Sequence, residues 1–400
     1  MAIKWNDEAD ALAKRAYPTD VVESLVNTTA DTYKKLTKNM KLEGEGEYLP
    51  VKLYGNESGQ GNYDEDGLLP TGGSQTTKQG KATPKQFAHV IQFTGLSLKM
   101  LASKRAAFAS SMMFQIEEGL KDGAKELNAQ AYRDGTNLLA AAANLTGSGT
   151  SFTVACDVTT NAIGFIPTHF RPGMLIADLT TGTGTVESVT YPSSVNGAAT
   201  ITLATGATLN ATEDWYRAGE KDKGFAGLPN ITGTSTTTMN LAKGTYPTWA
   251  GLEIDAGITN LSESMLLKGK GYMKIAKGTK PNCLVSNDSQ FRSYMTDTTP
   301  QVRYEAGKRD ATPDVKYYWN SMEWIVDSDC GLNEVYLFDK SQFLLFENVP
   351  FGLDESHGGI LRFVDGYDKF VAIAKTYANY GTQNTGAFVR ITGLNVPAII

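Results

Sequence analysis

The chain is poor in the residues that do chemistry. Cysteine occurs three times in 400 residues, at Cys156, Cys283 and Cys330. The three are far apart and odd in number, so no disulfide framework is expected and free thiols in a reducing compartment are the default. Histidine also occurs three times, at His89, His169 and His357. None has a Cys or His neighbour at metal-ligand spacing, so each reads as a structural or surface histidine. No run approaches the roughly 20 apolar residues of a membrane span, and the opening MAIKWNDEADALAKRAY lacks the apolar core of a signal peptide. A cytoplasmic product is expected. Basic residues are in deficit, 37 Lys and Arg against 43 Asp and Glu for a net charge of -6. A chain whose main task is gripping nucleic acid needs a basic surplus on at least one face, so that class is disfavoured.

Catalytic signatures are missing as well. There is no G-x-S-x-G elbow and no phosphate-cradling G-x-x-x-x-G-K-[ST], and the glycine pairs in GEGEYL, GTGTVE and GKGYMK lack the third glycine of a dinucleotide fingerprint. In NYDEDG, Asn62, Asp64, Asp66 and Gly67 mimic the start of a calcium loop. The bidentate Glu that should close such a loop is replaced by Gly73, so the segment reads as a solvated acidic turn. The expectation is a protein that is not an enzyme and has no cofactor or metal.

What is present is architecture. Hydrophobic residues at 41% and charged residues at 20% allow a sizeable core in two or three domains. Residues 1–45 read as an arm: Thr19 or Asp20 caps a helix on which Val22, Leu25, Val26, Thr29, Tyr33, Leu36 and Met40 form an apolar stripe. Such a stripe must be covered, either by the chain's own body or by a neighbouring subunit, for which Leu25, Tyr33 and Leu36 are the candidate contacts.

Residues 55–81, GNESGQGNYDEDGLLPTGGSQTTKQGK, hold seven glycines and only Tyr63, Leu68 and Leu69 to bury. The flanks YLPVKLYG and KQFAHVIQFTG both read as strands. The pattern is a projecting hairpin whose tip cannot offset its own ordering entropy, an arm that needs a partner. Candidate contacts at the tip are Tyr63, Asp64, Asp66, Leu68 and Leu69.

Next comes a long helix, with Phe108, Met112, Ile116, Leu120, Ala124 and Leu127 on one face and Gly135 as its stop. At roughly 1.5 Å per residue it would span on the order of 50 Å. From Thr146 to Gly224, short apolar pieces between Gly, Thr, Ser and Asn read as a small all-β insert. Residues 245–345 mix helix and strand, and the tail from Gly359 returns to strands that close on the long helix.

The ordered set of parts resembles the major capsid proteins of tailed bacteriophages, with the Hong Kong-97 type fold. The long helix running into YRDGTNLLAAA resembles that family's spine helix and its glycine-rich turn, with Asn137 where a second glycine is common. HFRPGMLIADL resembles the start of a β insertion, and KGFAGLPNITGT with TYPTWAG the re-entry from it. IVDSDCGLNEVYLFD resembles the axial strand pair, and GYDKFVAIAKTYANYGTQNTGAFVRITGL the closing strands. The resemblance implies an α+β fold: N-terminal arm 1–45, extended loop 46–95, peripheral domain with spine helix 96–147, β insertion 148–226, axial domain 227–345 and return strands 346–400.

It also implies a function. Copies would assemble as hexamers and pentamers into an icosahedral shell that encloses double-stranded DNA without sequence-specific binding. A separate scaffolding protein and a portal are implied partners and a decoration protein is a further one; no membrane is involved, and the product sits in the virion after assembly in the host cytoplasm. Some members cross-link a loop lysine to a distant Asn, for which Lys78, Lys81 and Lys85 are available. An encapsulin nanocompartment of the same fold, a phage tail or adhesin protein, and a hydrolase are the alternatives.

Overall fold

The computed structural model describes residues 21–396 apart from 23, 26–28, 31, 34, 43, 96–104, 156–168, 181, 192–196, 235, 299–316 and 356–358. His357 and Cys156 therefore lie outside the described residues.

The body is a five-stranded sheet around the long strand Lys369–Gly381. Lys85–Thr94 pairs along one edge; Leu344–Leu353 and Leu361–Phe363 pair along the other. The alternation in KQFAHVIQFT puts Phe87, His89, Ile91 and Phe93 toward the core and leaves Gln86, Ala88, Val90 and Gln92 outward. Lys38–Lys41 adds a parallel strand on Leu344–Glu347. Met40 therefore sits on a strand, and Tyr33 and Leu36 lie in turn and bend, so the arm's helical stripe ends before all three.

The spine helix Arg105–Gln130 crosses the body sheet with Ile116, Leu120, Ala124 and Leu127 buried, as its spacing dictates. Two glycines let it come close. A methyl group on Gly119 would lie 2.5 Å from Ile91 Cδ1, and one on Gly123 would lie 2.6 Å from Phe351 Cζ. Past the helix end, Gly135 takes φ +95° and Asn137 φ +60°. Asn137 occupies the left-handed region that Asn tolerates best after glycine, and its Nδ2 donates to the Glu220 carbonyl at 3.1 Å.

The insert leaves and returns at this turn. Gly224 N donates to the Gly135 carbonyl, Gly227 N to that of Arg133 and Leu228 N to that of Ala131. Entry and exit run side by side, so the seven-stranded antiparallel sheet leaves the body and returns to it at one turn. Its strands include Ser151–Val154, Thr183–Thr190, Ala199–Leu203 and Trp215–Arg217, over a core that Leu332 and Val396 join from outside the insert and in which Phe152 meets Trp215 edge-on at 4.8 Å.

The axial part is a six-stranded mixed sheet in the order Leu252–Thr259, Phe388–Leu394, Val335–Phe338, Cys283–Ser286, Met322–Val326, Tyr317–Trp319. Helices Glu263–Lys277 and Asp288–Thr298 cover one face through Leu266, Met273 and Tyr294. Its other face, with Cys283, Val285, Tyr336, Phe338 and Phe388, merges with the spine and body core. The tail thus divides, one strand closing the body sheet and the last one entering the axial sheet.

Candidate functional site

The surfaces that could meet another copy are built on the hairpin. Glu47–Tyr54 pairs antiparallel with Thr76–Ala82, from Glu47 opposite Ala82 to Tyr54 opposite Thr76. The return strand is therefore TTKQGKA, a stretch whose composition reads as loop, and KQFAHVIQFT belongs to the body sheet instead. Local pattern marks a strand without naming its partner.

One face of this stem is covered by its own chain. Leu49 and Ala82 pack with Met239, Leu344 and Phe346, while Val51 and Leu53 pack with Leu241 and Trp249. The cradle is a two-residue turn in which Met239 and Asn240 both have positive φ, +50° and +62°, as a tight hairpin of the twist-matching kind requires. Lys81 N bonds the Met239 carbonyl at 3.0 Å, which fixes the stem in the cradle. Buried Lys243 locks the cradle in turn, its ammonium donating to the carbonyls of Asn230, Ile231 and Gly233 at 2.5, 2.9 and 2.7 Å.

The tip has no such cover. Leu68 is 97% exposed, Leu69 70% and Tyr63 61%, and Asp64 and Asp66 are exposed beside them. Its ties are local ones: the short turn Glu57–Gly59, capped by Asn56 Oδ1, and the bond from Gly67 N to the Asp64 carbonyl. Three large apolar side chains thus stand in water on one loop.

The arm behaves differently. Tyr33 and Leu36 are buried in the main core and Leu25 packs against it, so these three side chains are covered by their own chain. A single helix residue clamps them. Asn128 Oδ1 accepts from the backbone N of Thr32 at 2.7 Å and of Tyr33 at 3.3 Å, while its Nδ2 donates to Asp327 at 3.1 Å and Asp329 at 2.8 Å. The Thr32 hydroxyl donates to Asp327 Oδ2, and Tyr132 OH reaches the same oxygen at 2.9 Å. Arm, spine and axial turn share one buried polar junction. Burial, with Asp327 beside it, pushes the Asp329 carboxyl up to about 6.

A second junction ties the insert to the spine. Glu126, buried, meets Arg133 at 2.7 Å, Arg171 at 3.5 Å and Arg217 at 3.7 Å. Burial works to raise this carboxyl; Arg133, with Arg171 and Arg217 behind it, outweighs burial and holds it below the ordinary range. His169 beside them is kept neutral, first by burial and then by Arg133 and Arg171.

Of the residues whose types suggest chemistry, Asn62, Asp64 and Asp66 lie in the exposed tip, and among the described residues no group of three or more His, Cys, Asp and Glu could hold a metal ion. Cys283 and Cys330 are free, buried thiols. Burial pushes that of Cys283 up to about 12, far from the reactive thiolate range. Of the loop lysines, Lys85 Nζ donates to the Asp222 carbonyl at 2.9 Å, Lys81 lies over the Tyr48 ring and Lys78 is exposed. What sequence reasoning missed is the pair of buried junctions: Glu126, Asn128 and Arg133 are polar positions on or just past a helix, and such positions read as solvated.

No family model and no curated protein sequence matches the chain. Among solved structures it is similar to the capsid asymmetric unit of cyanophage A-1(L), with 12% identity, 93% of this chain and 92% of that one covered, and a TM-score of 0.56. It is also similar to the capsid of a native GTA particle, at 9% identity, 91% and 90% coverage and TM-score 0.49. An encapsulin complex from Synechococcus elongatus aligns at 8% identity, 92% and 90% coverage and TM-score 0.43. The first of these carries the comparison, and at its identity it speaks for the fold. Spine helix, hairpin, body sheet, β insert and axial sheet in this order give the chain the Hong Kong-97 type fold of phage capsid subunits.

Proposed function

We propose that the chain is the major capsid protein of a tailed bacteriophage, a structural subunit whose copies assemble as hexamers and pentamers into an icosahedral shell around double-stranded DNA. The observation that carries this reading is the hairpin: a stem fixed in the chain's own cradle and an apolar tip with nothing over it, on a fold shared with a phage capsid subunit. Arm and spine are already joined inside the chain, so assembly has only to cover the tip and the outer faces. The net charge of -6 fits a container that must hold DNA and later release it. A separate scaffolding protein and a portal are the partners this role requires, a decoration protein can be added to it, and the shell would form in the host cytoplasm and end in the virion.

Expression of the chain with and without scaffolding protein, followed by size-exclusion chromatography and negative-stain electron microscopy, tests this. Closed shells or flat hexameric and pentameric capsomers are expected. Shells that package a protein cargo in place of DNA would move the reading to an encapsulin, and a monomer that stays monomeric at high concentration in every condition would overturn it.

A further inference from the structure

The joint between spine and insert holds more positive charge than its own side chains balance. Three guanidinium groups, Arg133, Arg171 and Arg217, lie within ion-pair distance of two carboxylates, Glu126 and Glu220. Arg133 is the deepest of them, 1% exposed, and it is used on one side only. Its Nη1 donates to Glu126 Oε1 at 2.7 Å, while Nε and Nη2 have no hydrogen-bond partner among the described residues. These two N–H groups form one edge of the planar guanidinium, a parallel pair of donors that matches two oxygens of one anion.

Its neighbours are incomplete as well. His169, buried, bonds the Asp329 backbone and leaves Nε2 without a partner. Glu126 Oε2 meets Arg171 at 3.5 Å and Arg217 at 3.7 Å and makes no hydrogen bond with either. Buried polar atoms are nearly always paired, and an open donor on a charged group is the most costly kind to leave. Here several open positions fall at one joint.

The groups dictate what would fill them. The occupant must accept two parallel N–H bonds and carry negative charge: a metal cation has the wrong sign, and water brings no charge. The side chains of Arg171 and Arg217, 28% and 32% exposed, reach from the joint to solvent. Arg133 lies too deep for a phosphate fixed in a polymer backbone, so a free ion fits best.

We propose that this joint binds one small free oxyanion of the phosphate or sulfate class, held side-on by Nε and Nη2 of Arg133, with Arg171 supplying further charge. Arg133 follows the spine helix and Arg171 belongs to the insert, so the ion ties the two together. The hold of the insert on the spine then depends on the concentration of the ion. The site lies within one chain and goes beyond the shell-subunit reading, so its test does not depend on assembly.

Isothermal titration calorimetry of the full, unassembled chain, in buffer free of phosphate and sulfate and at ionic strength held constant with sodium chloride, should show one site for inorganic phosphate or sulfate. Above half-saturation, each tenfold rise in the ion should lower the unfolding equilibrium constant by about tenfold. Arg171→Gln, at a partly exposed position, should weaken binding by about tenfold and leave the fold intact. Glu126→Gln with Arg133→Gln removes the buried pair together and should abolish binding. Phosphate also stabilises proteins generally by exclusion from their surfaces, and the variants control for this. A stabilisation that both variants keep in full would mean an adventitious ion only and would overturn the site, as would a parent chain that gives no binding heat and unfolds alike in phosphate and chloride. Should the double variant fail to fold, Arg171→Gln decides alone, and an unchanged affinity overturns the proposal. A short single-stranded oligonucleotide should not compete with phosphate; competition would put a nucleic-acid phosphate in the joint and overturn the free-ion assignment.

Discussion

The arm and the hairpin tip are both extensions, and the structure treats them in opposite ways. The arm's Tyr33 and Leu36 lie in the chain's own core, while the tip's Leu68 stands 97% exposed. The difference lies in polar anchorage more than in apolar content. The arm has an apolar stripe and also finds, in Asn128, Asp327 and Asp329, fixed partners for its backbone and hydroxyl groups. The tip has apolar side chains and glycine, and its bonds are to itself. Ordering a segment costs about 1–2 kcal/mol per residue, and only anchorage plus burial offsets that. The arm has both within one chain; the tip has neither there.

The largest effect is expected where the arm is clamped. Asn128→Ala removes two acceptor contacts from the arm backbone and two donor contacts from buried carboxylates, and it leaves all of them without solvent. Unfolding of the unassembled chain in denaturant should show a loss on the order of 3 kcal/mol. A loss below about 1 kcal/mol would show that the arm is held by its apolar stripe alone, and the contrast with the tip would collapse to exposure.

The tip should respond in the reverse sense. Leu68→Ser with Leu69→Ser touches nothing buried, so unfolding of the single chain should change by less than about 0.5 kcal/mol. The concentration needed for assembly should rise by about tenfold or more, since two leucines lose the burial a neighbour would give them. Light scattering against concentration measures this. Equal effects on single-chain stability and on assembly would mean that the tip packs on its own body in solution.

How much of this contrast the sequence carries can be read residue by residue. The spine stripe from Met112 to Leu127, the all-β texture of the insert and the alternation of Leu49, Val51 and Leu53 all follow from local pattern, and each is found in the structure, while the side chain of Phe108 lies outside what is described. The exposure of the tip follows from composition. The return strand TTKQGKA is illegible because its inward positions are Gly80 and Ala82, which carry no apolar signal, and because the pairing partner of a strand is a tertiary fact. The junctions are illegible for a related reason. Nothing local distinguishes Glu126 or Asn128, buried and bonded, from Glu117 and Asp122 on the solvent face of the same helix.

The pH dependence of the junction offers a further separation. Burial and the neighbouring Asp327 raise Asp329 to about 6 in the folded chain, so between about pH 4 and pH 6 the folded state binds more protons than the unfolded one. Stability from this group is therefore full below the unfolded value and is lost as pH rises through about 6. Asp329→Asn keeps an acceptor for Asn128 and removes the titration. The difference in unfolding free energy, variant minus parent, should climb in the variant's favour from pH 4 to 6 and then level off. A flat difference would mean that the Asp327 and Asp329 pair is relieved by another route.

The smallest effect expected is at Gly72, and it isolates the entropic half of the comparison. A methyl group there would meet nothing within 4 Å and its φ lies outside the left-handed range, so Gly72→Ala adds no clash and no strain. At a position ordered on folding, such a change narrows the unfolded ensemble and stabilises by about 0.4–1 kcal/mol. If the tip becomes ordered only on assembly, the gain belongs to assembly: single-chain unfolding stays unchanged, and the assembly threshold falls by about two- to fivefold. A gain in single-chain stability instead would place the ordering of the tip within the chain's own folding and put it on the same footing as the arm.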